Sequence, residues 1–188
     1  MKECAMSSQC GEISYQVIYK NVKHMTIRVT AKAEVIVTAP QYYREEQIRK
    51  FVIEKSSWIV KHLMEMKQRQ GITLSELAFG EEEERELRAL VDAYLPAFAR
   101  YQIPEPRVHF RRMKSRWGSC NKSRASITLN QALCAVPPEC RTYVVVHELA
   151  HLVEANHSAA FYQVVETVLP KYKEYEKRLK DYALQDEK

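Results

Sequence analysis

Near the N-terminus, apolar and polar positions follow the short period of β-strands. Three segments are rich in β-branched and aromatic residues in near alternation: Ile13–Tyr19, Met25–Val29 and Val35–Thr38. Pro40 ends the last segment, because proline cannot donate a backbone hydrogen bond to a neighbouring strand. This pattern predicts a small antiparallel β-meander.

After about Arg44 the period becomes that of an amphipathic helix. Apolar residues recur at helical spacing and predict one long helix, which carries Trp58 and is broken at Gly71. A second helix is predicted after Gly80, where a run of four glutamates suits the positive end of the helix dipole, and Pro104 closes it. The stretch between the two glycines is the best candidate for a boundary between lobes.

Strand patterns return after residue 107. Val108–Met113 and Ser126–Asn130 are predicted strands, and between them Ser115–Cys120 leads into a turn at residues 121–123. An edge strand of such a hairpin can hold an extended peptide by main-chain hydrogen bonds. This hairpin is a candidate for that role. The simpler alternative is that its strands only complete the sheet of the lobe.

Three helices are predicted for the remainder of the chain. The first starts at Pro137, since proline is favoured in a first helical turn, and it runs to about Ala155. Asn156 is expected to adopt the left-handed conformation that ends many helices. The other two helices are predicted at Ala159–Leu169 and Tyr172–Leu184, and the last one is amphipathic and charged.

The first of these helices contains the pattern H-E-x-x-H at His147, Glu148 and His151. Histidines four residues apart project from one face of a helix, where two imidazoles can bind one Zn²⁺. Glu148 lies next to them and is placed as the general base for a metal-bound water. The turn at Asn156 would bring His157 back toward this site. Buried histidines are more often hydrogen-bonded core residues, but so many ionisable groups among Val, Leu and Ala would be costly to bury without a metal ion.

Length and composition indicate a globular protein with a substantial core. The chain has 188 residues, of which 46% are hydrophobic, so it can fold without disulfide staples. We expect two lobes, residues 1–75 and 76–188, that together form one compact unit. No apolar run of about 18 residues occurs, and the start has no signal-peptide pattern, which predicts a cytoplasmic protein without a membrane partner.

The five cysteines are odd in number and form no C-x-x-C pair. Free thiols in a reducing compartment fit this pattern better than a disulfide framework or a Cys₄ zinc site. Only Cys120 has unusual neighbours. For this residue a small, buried, apolar side chain is favoured over a reactive thiol.

Positive charge is concentrated in one part of the chain. The formal net charge is +5, and seven basic residues but no acidic ones occur from Arg107 to Arg124. Such a block could attract nucleic acid or an acidic substrate. A solvated strand face is the more common origin of such a block, so nucleic acid is only a secondary expectation.

Several segments resemble the YgjP-like metallopeptidases, which are related to the SprT-like and WLM zinc proteins. The resemblance rests on Val35–Pro40, Ile48–Ile59, Arg116–Cys120, Ile127–Asn130, His147–His151, Asn156–Ser158 and Phe161. It implies an α+β fold, in which an N-terminal β-meander and long helix precede a zincin-like catalytic lobe with its active-site helix packed on a small sheet. It also implies that His147, His151 and His157 are zinc ligands. Glu148 would be the catalytic base.

The resulting expectation is a zinc-dependent metallopeptidase acting on a peptide or protein substrate. Three histidines leave a fourth zinc position for water, Glu148 takes its proton, and the hydroxide attacks a carbonyl polarised by the metal. Arg116 or Tyr162 could stabilise the oxyanion, and the sequence does not decide between them. Metzincin membership is rejected, because Glu154 stands in place of that motif's glycine and no methionine follows Met113.

Two alternatives remain open from the sequence. In the first, zinc is retained and the basic hairpin binds nucleic acid, as in a DNA-linked protease of SprT-like type. In the second, zinc only stabilises the fold of a non-catalytic domain. Sites with three histidines also accept other first-row metal ions, so zinc is itself an expectation.

Overall fold

The computed structural model describes residues 2–8, 11–30 and 32–185. It contains helices and small β-sheets, and its contacts divide the chain into one unit that ends at Arg69 and a second that begins at Gln70. The sequence placed the boundary after residue 75, and the difference arises because residues 70–73 form a strand of the second unit. Within the described ranges, no helix is both long enough and apolar enough to cross a membrane.

The first unit is a four-stranded sheet with two helices. Its elements are β1 (Lys2–Ser8), β2 (Gly11–Lys20), β3 (Thr26–Val29), β4 (Val35–Pro40), α1 (Glu45–Glu54) and α2 (Ser56–Gln68). The strand order is β1-β2-β4-β3, and β4 runs antiparallel to β3 but parallel to β2. The predicted antiparallel meander is therefore wrong. Alternation identifies the buried face of a strand, which in β4 comprises Val35, Val37 and Ala39, but it does not specify the neighbouring strand.

The predicted long helix of the first unit is interrupted once. Lys55 separates α1 from α2 in a non-helical conformation, with φ −101° and ψ 5°. The apolar period continues across the break, because Ile48, Val52 and Ile59 all pack into the same core. Strand β1 was not predicted, since its segment contains no β-branched or aromatic residue.

The second unit is built from short strands and four helices. Its elements are β5 (Gln70–Thr73), α3 (Glu81–Tyr94), β6 (Arg107–Arg111), β7 (Gly118–Asn121), β8 (Ser126–Asn130), α4 (Pro138–Val153), α5 (Ala159–Val168), α6 (Tyr172–Leu179) and β9 (Tyr182–Gln185). A three-stranded sheet has the order β6-β8-β7, with β8 parallel to β6 and antiparallel to β7. The predicted helix after Gly80 is confirmed as α3, although it ends at Tyr94 and a 3-10 helix continues to Tyr101. The predicted strands Val108–Met113 and Ser126–Asn130 correspond to β6 and β8, but these two pair in parallel, so they form no hairpin. The hairpin partner of β8 is β7, which was not predicted as a strand.

The end of the chain departs from the prediction of one helix over Tyr172–Leu184. Helix α6 ends at Leu179, and the chain then forms β9, which pairs in parallel with β5. The amide of Gln70 donates a hydrogen bond of 2.7 Å to the carbonyl oxygen of Asp181, just before this pairing. A short amphipathic segment fits both the helical period and the strand period. Here residues 182–185 form a strand because they pair with the distant strand β5.

Helix α4 lies at the centre of the second unit. Nine of its 16 residues are buried, and it contacts β7 and β8 as well as α3, α5 and α6. A helix that is apolar on most of its sides is expected inside a protein. The helix that carries the H-E-x-x-H pattern is thus part of the core, in keeping with the Val, Leu and Ala residues around that pattern.

The end of α4 differs from the prediction. The helix stops at Val153, and Glu154 is extended, with φ −130° and ψ 117°. The Nζ atom of Lys122 donates to the carbonyl oxygen of Val153 at 2.7 Å and so satisfies one of the free carbonyls at the helix end. The predicted left-handed turn at Asn156 is wrong, because the described non-glycine residues with positive φ are Ala33, Gln102 and Ala125.

Asn130 is a buried polar residue that holds the loop between β6 and β7. Its Nδ2 atom donates to the carbonyl oxygens of Met113 and Arg116, both at 2.7 Å, and its Oδ1 atom accepts from the amide of Ala132 at 3.1 Å. We expect Asn130→Ala to lower the free energy of unfolding by about 2–4 kcal/mol, because these backbone groups lose their partner inside the protein. Urea unfolding measures this loss. The control is Asn121→Ala, whose exposed side chain accepts one backbone hydrogen bond, and an equal loss in both variants would contradict the prediction.

Candidate metal centre

Helix α4 and the segment before α5 bring three imidazoles together. His147 and His151 lie one helical turn apart on α4, and His157 directly precedes Ser158, the residue that caps α5. The candidate ligand atoms of the three histidines lie within 4.8 Å of one another, and the Nε2 atoms of His147 and His157 are 3.0 Å apart. No other set of His, Cys, Asp or Glu side chains in the described ranges has this geometry.

The donor set suits one divalent first-row metal ion. Burial and the neighbouring imidazoles lower the pKa of His147 to about 3, and burial lowers the pKa of His151. Both side chains are therefore neutral at neutral pH, the form in which an imidazole binds a metal. Ligand nitrogens around a tetrahedral zinc ion lie about 3.4 Å apart, so the widest of these pairs would have to close for all three imidazoles to bind one ion.

A carbonyl group and an aromatic ring orient the imidazoles. The Nδ1 atom of His151 lies 3.1 Å from the carbonyl oxygen of Glu154 and must donate to it, which leaves the lone pair on Nε2. Phe161 is fully buried and stacks on the His151 ring at a centroid distance of 4.4 Å. The same phenyl ring meets the rings of His147 and His157 edge-on, each at 4.9 Å. These contacts restrict the rotation of the three rings.

Glu148 is buried beside the histidines without a complete set of partners. Its side chain is 5% exposed, and its Oε2 atom has no hydrogen-bond partner within the described structure, as is also true of Nδ1 of His147. Burial raises the pKa of Glu148 to about 8, and the positive charge of Arg116 opposes part of this shift. A buried carboxyl without a partner destabilises the fold, and such groups occur mainly at functional sites.

Strand β7 passes directly against Glu148 at Gly118. A methyl group placed on Gly118 would lie 2.5 Å from Oε1 and 2.6 Å from Cγ of Glu148. The lack of a side chain therefore lets the strand approach α4 this closely. Among the strands that the structure describes, β7 pairs with β8 alone, so its other side is an open edge of this sheet.

The three histidines and Glu148 open onto a cavity of about 430 Å³. The other lining residues are Arg116, Gly118, Ser119, Cys120, Lys122 and Ala155. Of the two residues that the sequence suggested for oxyanion stabilisation, Arg116 lines this cavity. Tyr162 is not among the described lining residues, although its ring lies 6.3 Å from that of His157.

The described cysteines carry free thiols, as predicted. Cys120, Cys134 and Cys140 form no disulfide, whereas Cys10 and the side chain of Cys4 lie outside what the structure describes. Burial raises the pKa of Cys120 to about 11, with a contribution from the charge of Glu148. The Cys120 thiol is therefore protonated at neutral pH, but the residue is only partly buried and lines the cavity, whereas the sequence favoured a buried, apolar side chain.

Comparison with models of known protein families identifies the family of this chain. The profile of the YgjP-like metallopeptidase domain matches residues 23–85 and 78–182. The chain belongs to the YgjP-like metallopeptidase family. The family resemblance drawn from the sequence is thereby confirmed, and the second matched segment contains every residue that lines the cavity of this YgjP-like protein.

One solved structure with similarity to this YgjP-like protein is the crystal structure of the metallopeptidase zymogen of Pyrococcus abyssi abylysin. The two chains are 28% identical, with a TM-score of 0.46, and the similarity covers 53% of this chain and 99% of the abylysin chain. No curated protein sequence matches the chain.

Some contacts of the YgjP-like centre were not anticipated from the sequence. These are the approach of Gly118 to Glu148, the packing of Phe161 on all three imidazoles, and the hydrogen bond from His151 to the backbone of Glu154. Gly118 and Phe161 do occur in segments that resemble the family, and this resemblance could have identified them as candidate site residues. Their contacts join different elements, so no local pattern describes them.

Proposed function

We propose that this YgjP-like protein is a zinc-dependent metallopeptidase in which three histidines hold the ion and Glu148 is the catalytic base. The histidines are His147, His151 and His157. The observation that carries the proposal is the convergence of three imidazoles beside a buried carboxyl that lacks a partner. Membership of a metallopeptidase family supports the peptide bond as the target.

The chemistry can be assigned to groups of this chain. A bound zinc ion would supply Lewis acidity, which favours both loss of a proton from water and polarisation of a peptide carbonyl. Glu148 accepts a proton from the attacking water and later returns it to the departing amine. Burial alone raises the pKa of Glu148, and the charge of a bound metal ion would lower it again and favour the carboxylate that can accept a proton. Arg116, from the cavity wall, stabilises negative charge that develops on the carbonyl oxygen.

The open edge of β7 is the proposed binding surface for the substrate backbone. It lies beside α4, and an extended peptide can add to such an edge through backbone hydrogen bonds. Because Gly118 of β7 contacts the side chain of Glu148, a peptide on this edge would have a peptide bond close to the proposed base. An active-site helix beside an edge strand supports the zincin-like catalytic lobe that we propose for this chain.

A purely structural zinc site is disfavoured by the donor count. Structural zinc ions in proteins are usually enclosed by four protein ligands. The described residues supply a group of three histidines, and these open onto a cavity. A position left for water or substrate is typical of catalytic zinc.

Elemental analysis of the purified protein tests the proposal. We expect about one zinc per chain in the wild type and little zinc in His151→Ala, because the variant loses one of three imidazoles. His62→Ala is the matched control, since His62 stacks on Trp58 and is not part of the group. Zinc retained in His151→Ala would overturn the proposed ligand set. A wild-type protein that takes up no zinc would overturn the proposed function.

A further inference from the structure

A second cavity, of about 500 Å³, lies next to the metal cavity on one face of the three-stranded sheet. It is lined by four arginines, Arg107, Arg111, Arg116 and Arg124. The remaining described lining residues carry hydroxyl, amide, thiol and imidazole groups, and none of them is acidic. This cavity, called the arginine cavity below, is therefore strongly positive.

Strand register explains how the arginine cavity forms. Alternate residues of β6 face the cavity, including Arg107 and Arg111, whereas Val108 and Phe110 pack against the core. Ser126 of β8 is paired with Arg107, so a short side chain lies beside a long one. Long side chains on β6 and short ones on β8 leave a space bounded by guanidinium groups.

No acidic side chain is among the described residues that line the arginine cavity, although the charge of Arg116 also acts on Glu148 in the adjoining metal cavity. Within the described ranges, none of its four arginines forms an ion pair. Two other basic residues of this part of the chain are held by other contacts: Lys122, in the wall of the metal cavity, donates to the end of α4, and Arg112 donates to Gln131 and to the carbonyl oxygen of Leu77. Within the arginine cavity, Arg107 donates one hydrogen bond of 3.1 Å, to the carbonyl oxygen of Arg124. Clustered like charges without counter-charges attract an anionic ligand.

We propose that the arginine cavity binds acidic side chains of the peptide substrate. This inference rests on the proposed peptidase function and deepens it by naming the substrate class. The arginine cavity and the metal cavity share Arg116, Ser119 and Cys120, so one ligand can occupy both. A peptide paired with the edge of β7 presents every second side chain to the same face of the sheet, where the arginines lie.

An acidic peptide fits this cavity better than nucleic acid does. Single-stranded nucleic acid is held largely by stacking on aromatic side chains, and no Phe, Tyr or Trp is among the described lining residues. Duplex binders typically neutralise about six to ten phosphates along an extended surface. Here four arginines surround a single cavity that is joined to the metal centre.

Peptide binding to an inactive variant tests the proposal without requiring turnover. Zinc-loaded Glu148→Gln protein is titrated with three labelled peptides of one sequence, which carry Glu, Gln or Lys at alternate positions. We expect the Glu peptide to bind roughly tenfold more tightly than the Gln peptide, and the Lys peptide to bind most weakly. Adding Arg107→Gln and Arg111→Gln should reduce the Glu preference to below about twofold. The matched control adds Arg85→Gln and Arg100→Gln, which remove the same charge from exposed positions outside the cavity, and it should keep the preference.

The outcomes separate the two proposals. Equal affinity for the Glu and Gln peptides, or a preference that survives Arg107→Gln and Arg111→Gln, would overturn the acidic-substrate site. Salt-sensitive binding of a DNA duplex that these substitutions abolish, without any preference among peptides, would overturn it in favour of nucleic acid. Peptide hydrolysis by the wild type is measured separately. An acidic preference without hydrolysis would support the site and overturn the peptidase, whereas hydrolysis without the preference would do the reverse.

Discussion

Glu148→Gln is expected to lower kcat/KM for peptide hydrolysis by roughly 10² to 10⁴-fold, while the protein keeps its metal ion and its fold. The amide has the shape of the carboxyl but cannot accept a proton. Glu148 is outside the group of three histidines and its Oε2 atom has no partner in the described structure, so the substitution removes no metal bond from the proposed ligand set. Burying an amide in place of an ionisable carboxyl also lowers the cost of burial, which favours an unchanged or slightly higher free energy of unfolding.

Three measurements on the same preparations examine this result: hydrolysis of a quenched fluorescent peptide library, zinc content and urea unfolding. Glu166→Gln is the matched control, because it makes the same chemical change on an exposed residue of α5. Wild-type rates in Glu148→Gln would contradict the role of a base. Loss of zinc in Glu148→Gln would instead identify Glu148 as a ligand. A non-catalytic zinc domain predicts that neither the wild type nor the variant hydrolyses any peptide.

Much of the candidate centre could be predicted from the sequence because its parts are close together in the chain. The helical repeat alone puts His147 and His151 on one face of α4. His157 follows so soon after the helix that any tight exit returns it to the same place. The predicted conformation of this turn was wrong, because the helix ends at an extended Glu154 and Asn156 is not left-handed. The three imidazoles nevertheless converge.

The parts of the fold that could not be predicted depend on pairing between distant segments. Strand β4 lies between β2 and β3, and β9 pairs with β5. Backbone hydrogen bonds join these strands. Because nearly every residue offers the same backbone donor and acceptor, the side-chain sequence says little about which strands pair. Apolar patterns therefore indicated most strands and their buried faces, but not which strands were neighbours.

The basic segment from Arg107 to Arg124 also could not be interpreted fully from the sequence, because the positions of its side chains depend on the fold. Its sequence indicates an excess of positive charge but not where that charge lies. The alternation of β6 directs Arg107 and Arg111 to one cavity, whereas Arg112 donates to Gln131 and Leu77 outside that cavity, and Lys122 lies in the wall of the metal cavity. A uniform run of charge in the sequence thus becomes a localised site beside the metal centre.

Gly118→Ala is expected to reduce kcat by roughly 10²-fold while zinc remains bound, because it displaces the proposed base. The added methyl group would lie 2.5 Å from Oε1 and 2.7 Å from Cδ of Glu148, closer than non-bonded atoms can approach. Gly118 does not have a positive φ, so alanine suits its backbone and the flexible glutamate side chain moves instead. A catalytic group misplaced by about 1 Å can lose this much rate. Steady-state kinetics should show a larger change in kcat than in KM.

Two comparisons separate the positioning of Glu148 from a general loss of stability. Gly80→Ala adds a methyl group whose nearest neighbour is Oε2 of Glu83, at 3.5 Å, so this variant should keep wild-type activity. Glu148→Asp shortens the proposed base and withdraws it from the methyl group at position 118. Adding Gly118→Ala to Glu148→Asp should therefore reduce kcat far less than adding it to the wild type. Equal reductions in the two backgrounds would mean that the methyl group acts through some contact other than the one with Glu148.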